Sequence, residues 1–182
     1  MAVLKRILCL ALALLCLAAH PAPAQDLHLY EREIKAGLLY NFLKYTDWPD
    51  GGLSGSSITV CLFGGDPFGG YLDNTKGRTV HQRAIDIRSV SRVEDTGSCN
   101  LVYVSDESRW PALSAYLAGK GVLTVGDFEG FTNRGGMIEF SRKGERVNVL
   151  MNVDAVEAAQ LKIEDRLLHL GTVVHGHKGG KP

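Results

Sequence analysis

Three groups of residues have types and spacings that invite a chemical reading. The first is the glycine-rich stretch Gly64-Gly65-Asp-Pro-Phe-Gly69-Gly70, which follows an apolar run, where a phosphate loop would sit. It lacks the Gly-Lys-Ser/Thr ending whose lysine and hydroxyl reach phosphate and Mg2+, and it is not Gly-x-Gly-x-x-Gly. Asp66 would also bring negative charge toward any phosphate, so a structural strand-to-helix turn is the better reading. The second group is hydroxyl and imidazole. Ser54 lies among glycines, but Gly-Leu-Ser-Gly does not match the Gly-x-Ser-x-Gly elbow, and His81 falls at a strand edge. Nothing selects one Ser/His/Asp set. The third group is His169, His175 and His177. No His-x-x-x-His pair on a helix face is present and no acid completes a ligand set, so solvated histidines are expected. The chain is therefore expected to be no enzyme, and to hold neither a metal nor a cofactor.

The cysteines have to be read with the first 25 residues. Lys5 and Arg6 precede an uncharged run over 7–19, then His20, Pro21 and Pro23 break it, and Ala22-Pro-Ala24 supplies small residues for cleavage. This is the order of a secretory signal peptide. As a membrane span the run falls short, since about 13 residues cover only roughly 20 Å of helix. Neither Cys16 nor Cys9 follows the small residue that a lipobox requires. Residues 1–24 are expected to be removed, leaving a mature domain over 25–176 and a polar tail over 177–182. Cleavage takes away two bases and no acid, leaving 18 bases against 20 acids. A nucleic-acid partner calls for a more basic chain. Cys61 and Cys99 then remain, an even pair in an oxidising compartment, either bridged or held as two buried thiols. No Cys-x-x-Cys is present to support redox catalysis.

The elements that must position these residues follow from periodicity. Ile34, Leu38, Phe42 and Tyr45 predict one face of an amphipathic helix over 27–46, ended by Trp48-Pro49. Residues 50–57 form a Gly/Ser turn and 58–63 a buried strand. Asp66 before Pro67 predicts an N-cap and a short helix that Gly77 closes. Strands are expected within 79–90 and at 101–104 and 122–125, with a helix over 105–117. A hairpin follows over 137–140 and 146–151, then helices over 154–161 and 164–174. With 45% hydrophobic and 22% charged residues, this is a single α/β domain: a sandwich in which helices flank a central mixed sheet.

The loop over 126–136 is the most unusual segment. It sets four glycines around Phe128 and Phe131, with Arg134 ahead of Gly135 and Gly136. Either the rings anchor a partner or they plug the core while the glycines shape the turn.

Taken in order, these segments resemble the YfiR-like proteins. The resemblance rests on Ile34-Lys-Ala-Gly-Leu-Leu-Tyr-Asn-Phe-Leu-Lys-Tyr-Thr-Asp-Trp-Pro49, Leu62-Phe-Gly-Gly-Asp-Pro-Phe-Gly69 and Cys99 before a strand. Leu123-Thr-Val-Gly-Asp127, Gly135-Gly-Met-Ile138 and Asn152-Val-Asp-Ala155 complete it. The resemblance implies a periplasmic α/β protein, commonly a homodimer, without catalytic activity. Such proteins repress a membrane-bound diguanylate cyclase by binding its periplasmic sensor part, and an outer-membrane lipoprotein can sequester them. The output is cyclic di-GMP, and with it biofilm formation and motility. Cys61 and Cys99 match the family's bridging positions. Asn41, Phe42, Trp48 and Pro49 match its first motif, Gly126, Asp127, Phe131, Gly135 and Gly136 its late loop, and Asn152 the last one. The second cysteine pair that some members carry is missing after Met137. Phe128, Phe131 and Arg134 are the candidate partner-binding residues. A periplasmic small-molecule sensor, with Arg134 and the glycine loops contacting an anion, is the alternative function.

Overall fold

Apart from Gly37, residues 24–44 contain no helix breaker, and they form helix α1 (Ala24–Lys44). The computed structural model describes residues 24–49, 52–53, 55–144 and 146–176; residues 1–23, Ser54 and His177 lie outside it. The buried stripe of α1 is Lys35, Ala36, Leu39, Phe42 and Leu43, while Ile34, Leu38 and Tyr45 are only half-buried. The apolar face is thus turned about one residue from the expected one. The helix also stops at Lys44, because Thr46–Asp47 (β1) pairs antiparallel with Lys162–Ile163 (β9).

The remaining strands form one mixed sheet. They are β2 (Ser57–Phe63), β3 (Thr79–Val80), β4 (Arg83–Val90), β5 (Leu101–Val104), β6 (Leu123–Gly126), β7 (Ile138–Lys143), β8 (Arg146–Asn152) and β10 (Thr172–Val174). Their order is β10-β8-β7-β6-β5-β2-β4-β3, with β7, β6, β5, β2 and β4 parallel. The expected hairpin, β7 with β8, makes the sheet mixed. β2 and β5 lie mid-sheet with both faces covered, which is why their sequences are nearly continuous apolar runs. On one face, α1 packs over Val60, Leu62, Leu101, Tyr103, Val125 and Phe140. On the other, α2 (Trp110–Leu117) packs over Phe63, Val102 and Val104. Cys61 and Cys99 sit in this second layer and are joined by a disulfide, with Cα atoms 6.0 Å apart.

Four expected helices are shorter or different, and the one expected over 154–161 already ends at Ala158. Asp66 closes an Asx turn on the Phe68 N–H at 2.8 Å, and only a 3-10 turn, Tyr71–Thr75, follows. The helix expected over 105–117 keeps its last eight residues, with Pro111 at its start and the 3-10 turn Glu107–Arg109 before it. The segment 164–174 divides into α4 (Asp165–Leu168) and strand β10. Gly171 forces the division: a Cβ there would lie 2.5 Å from the Val149 carbonyl oxygen, so the chain runs against β8 and continues as β-branched Thr172-Val173-Val174. Between β8 and β9, α3 (Val153–Ala158) is capped by Asn152, whose Oδ1 accepts the Ala155 N–H.

Candidate functional site

The loop over 126–136 is built around one ring. Phe131 is fully buried, and a Cβ at Gly126 or Gly136 would come within 2.4 or 2.2 Å of it. Both glycines are therefore walls of the Phe131 socket. Trp110 packs on the ring at 4.4 Å between centroids, and Phe128 meets it edge-on at 5.1 Å. Of the two readings of this loop, the core plug holds for Phe131. Phe128 stays half-buried, and Arg134 is exposed, its guanidinium 5.0 Å from the Phe128 ring and ion-paired with Glu107 at 2.9 Å. Gly135 ends a 3-10 turn at φ 84°, where a side chain would be strained.

Buried polar groups hold the loop from below. Glu139, on β7, is 2% exposed, and its carboxylate accepts the Gly130 N–H at 3.2 Å, the Thr132 N–H at 3.0 Å and the Thr132 hydroxyl at 2.9 Å. Asn152 donates to the Thr132 carbonyl at 2.9 Å, and the Trp110 indole donates to the Arg134 carbonyl at 3.1 Å. These bonds from three directions hold the loop in one shape.

Beside the loop, a charged cluster ties α1 to the sheet. Lys35 interrupts the apolar stripe of α1. Its ammonium reaches Asp127, just past β6, at 2.7 and 2.8 Å, and Glu31 at 2.6 Å. The Tyr103 hydroxyl donates to Asp127 at 2.8 Å, and Arg142 of β7 pairs with the other oxygen of Glu31. Burial and the Asp127 charge push the Tyr103 hydroxyl well up, so it stays a donor. For Glu31, burial raises the carboxyl, but hydrogen bonds and charge from Arg142 and Lys35 outweigh it and hold it below its ordinary value. A depressed carboxylate contributes stability above its unfolded-state pKa and loses it as pH falls through the lower folded value. The melting temperature is accordingly expected to fall on acidification below roughly pH 4, and less steeply in Glu31→Gln; a thermal melt series from pH 7 to pH 3 checks this.

This cluster separates two hollows beyond the carboxyl ends of β5 and β6, where open α/β sheets bind ligands. The larger, about 730 Å³, lies between α1, β7 and the loop. The smaller, about 230 Å³, adds His28, Arg32, Pro67 and Phe68. Lys35 and Asp127 compensate each other's charge at the wall between the two hollows. No group of three metal-ligating side chains occurs among the described residues.

Residues 32–172 match the family described as YfiR/HmsC-like, well over half of the chain. The chain belongs to the YfiR/HmsC-like family. Members of this family are periplasmic regulators rather than enzymes, and they generally interact with the periplasmic sensor domain of a diguanylate cyclase. No helix among the described residues is long and apolar enough to cross a membrane.

The YfiR/HmsC-like motif positions fall into separate places. Phe42 stacks on Phe140 at 5.7 Å in the main core, and Asn41 accepts the Tyr45 N–H through its carbonyl near the end of α1. Trp48 meets His81 edge-on at 6.1 Å, and the Pro49 carbonyl accepts the Gly52 N–H at 2.7 Å. Gly126, Asp127, Gly135, Gly136 and Asn152 converge on the loop and its charged neighbour. His81 lies 3.1 Å from the Leu43 carbonyl at the end of α1, and His175 lies 3.1 Å from Asp154. The sequence reading missed Glu31, Lys35, Tyr103, Glu139 and Arg142. One signal was there: a lysine inside the apolar stripe of α1 needs a buried acid.

No curated protein matches the chain. Among solved structures, a conserved domain protein from Vibrio cholerae O1 biovar El Tor superposes with TM-score 0.47 at 13% identity, over 78% of this chain and 59% of that one. An ABC domain from Streptococcus pneumonia in complex with L-Trp gives TM-score 0.46 at 9% identity, over 68% and 57%. The chain spans less than two thirds of either, and at these values neither likeness bears on function.

Proposed function

We propose that this protein binds the periplasmic sensor part of an inner-membrane diguanylate cyclase and represses cyclic di-GMP synthesis, and so influences biofilm formation and motility. The match to the YfiR/HmsC-like family across residues 32–172 carries this reading. In it, residues 1–24 are a cleaved signal peptide, 25–176 form the periplasmic domain, and 177–182 are a tail. The protein acts as a homodimer, and an outer-membrane lipoprotein sequesters it.

Repression requires that the protein bind the inactive state of the sensor more tightly than the active one. A hundredfold shift takes about 2.7 kcal/mol of differential affinity. The pinned loop supports this role, because a surface already held in its bound shape loses little entropy on docking. Phe128 and Arg134 are its available contacts, and Phe131 holds them in place from inside. The hollows beyond the strand ends also support a small ligand that biases repression.

Deleting the gene is expected to raise cellular cyclic di-GMP, and a copy that carries its signal peptide is expected to restore it. A copy lacking residues 1–24 should fail to do so. No rise on deletion across several growth conditions would sink the proposal.

A further inference from the structure

Strand β7 has two edges, and only one is filled along its length. All six residues pair with β8, from Ile138 opposite Met151 to Lys143 opposite Arg146. On the other side β6 reaches only Ile138 and Glu139 before it ends at Gly126. Among the described residues, none forms a strand beside 140–143 on that side. Main-chain groups of a strand point alternately to its two edges, so roughly 13 Å of β7 turns N–H and C=O groups toward an empty position.

That position is the larger hollow. Four consecutive residues of β7 line it: Glu139, Phe140, Ser141 and Arg142. Successive side chains of a strand point to opposite faces, so a cavity against one face would meet alternate residues. Meeting four in a row, the hollow runs along the edge of the strand. The pinned loop forms the opposite wall.

We propose that this slot takes up an extended, basic segment of a partner protein, which adds to β7 as a strand in line with β6. Charge sets the sign of the segment. The lining carries the carboxylates of Glu31, Asp127, Glu129 and Glu139 against only Lys35 and Arg142, and both cations are already ion-paired to Glu31 or Asp127. Glu129 is exposed beside the slot. The half-buried Phe128 supplies apolar surface for the stems of lysine or arginine. The proposal rests on the repressor reading above, with the segment supplied by the periplasmic part of the cyclase.

The test titrates short overlapping peptides, tiling the periplasmic portions of the host's membrane-bound diguanylate cyclases, onto the purified mature protein. A basic peptide is expected to bind and to slow amide exchange over 140–143. N-methylation of one alternate set of its main-chain nitrogens should weaken it roughly tenfold, as should Glu129→Arg, with the melting temperature of that variant unchanged. Binding that tolerates both N-methyl patterns, or that survives Glu129→Arg, overturns strand addition, and so does the failure of every peptide to bind. In cells the two claims separate. If deletion raises cyclic di-GMP but Glu129→Arg represses like the wild type, the slot is wrong and the repressor reading stands. If deletion changes nothing, the repressor reading itself falls.

Discussion

Replacing Phe131 with alanine is expected to lower stability by about 4 kcal/mol, the cost of deleting a fully buried phenyl ring whose surroundings cannot collapse. Collapse is blocked here on every side. Gly126 and Gly136 are backbone walls without side chains that could swing inward, and Trp110 is held by its bond to the Arg134 carbonyl. A domain of this size should lose roughly 10 °C in melting temperature. Phe131→Leu, which keeps most of the volume, should lose less than half as much. The reverse experiment is Gly136→Ala, whose methyl would fall 2.2 Å from ring carbons and drive the ring from its socket. Urea denaturation with an unchanged slope would confirm that the loss belongs to the native state. If Phe131→Ala melted within a degree or two of the wild type, the ring would not be the keystone of the loop. Because Phe128 and Arg134 ride on this socket, the variant should also repress less than its loss of folded protein accounts for.

Removing the disulfide is the second large effect. The bridge closes a loop of 38 residues, and its loss should cost about 4 kcal/mol through chain entropy released to the unfolded state. The double variant Cys61→Ala with Cys99→Ala is the proper comparison, since a single substitution leaves a free thiol in the second core layer. Its denaturation midpoint should fall by a margin comparable to that of Phe131→Ala. Cys61 and Cys99 are 1% and 4% exposed, so a reductant should reach the bridge slowly unless denaturant opens the domain. Equal midpoints for the double variant and the wild type would show that the bridge adds nothing to folding. Once residues 1–24 are removed as proposed, Cys61 and Cys99 are the cysteines that remain, so no second bridge would take over its role.

Much of the architecture was legible because it depends on neighbours along the chain. The runs at 58–63 and 101–104 are too apolar for any place but the middle of a sheet, and that is where β2 and β5 lie. Loop 126–136 was visible from its glycines and aromatics, but its two phenylalanines could not be assigned. Phe128 and Phe131 are three residues apart with the same chemistry, and only the position of Trp110 and the two flanking glycines decides which ring goes inside. The segment 164–174 was misjudged as helix because its apolar spacing suits either state. Strand β10 exists because β8 offers an edge to pair with and Gly171 lets the backbone approach it.

By itself, the sequence determined the class of the fold, the pair of cysteines available to bridge, and the ordered motifs that mark the family. All of these are written in periodicity, composition or short stretches of chain. The charged cluster was decided by tertiary structure alone. Lys35 and Asp127 are 92 residues apart, and Tyr103 reaches the same carboxylate from a strand that reads as plain core. Their meeting depends on sheet order, which places β5 beside β6 and lays α1 across both. Order of that kind is settled by how all the apolar faces are buried at once, a global balance that no local stretch of sequence encodes.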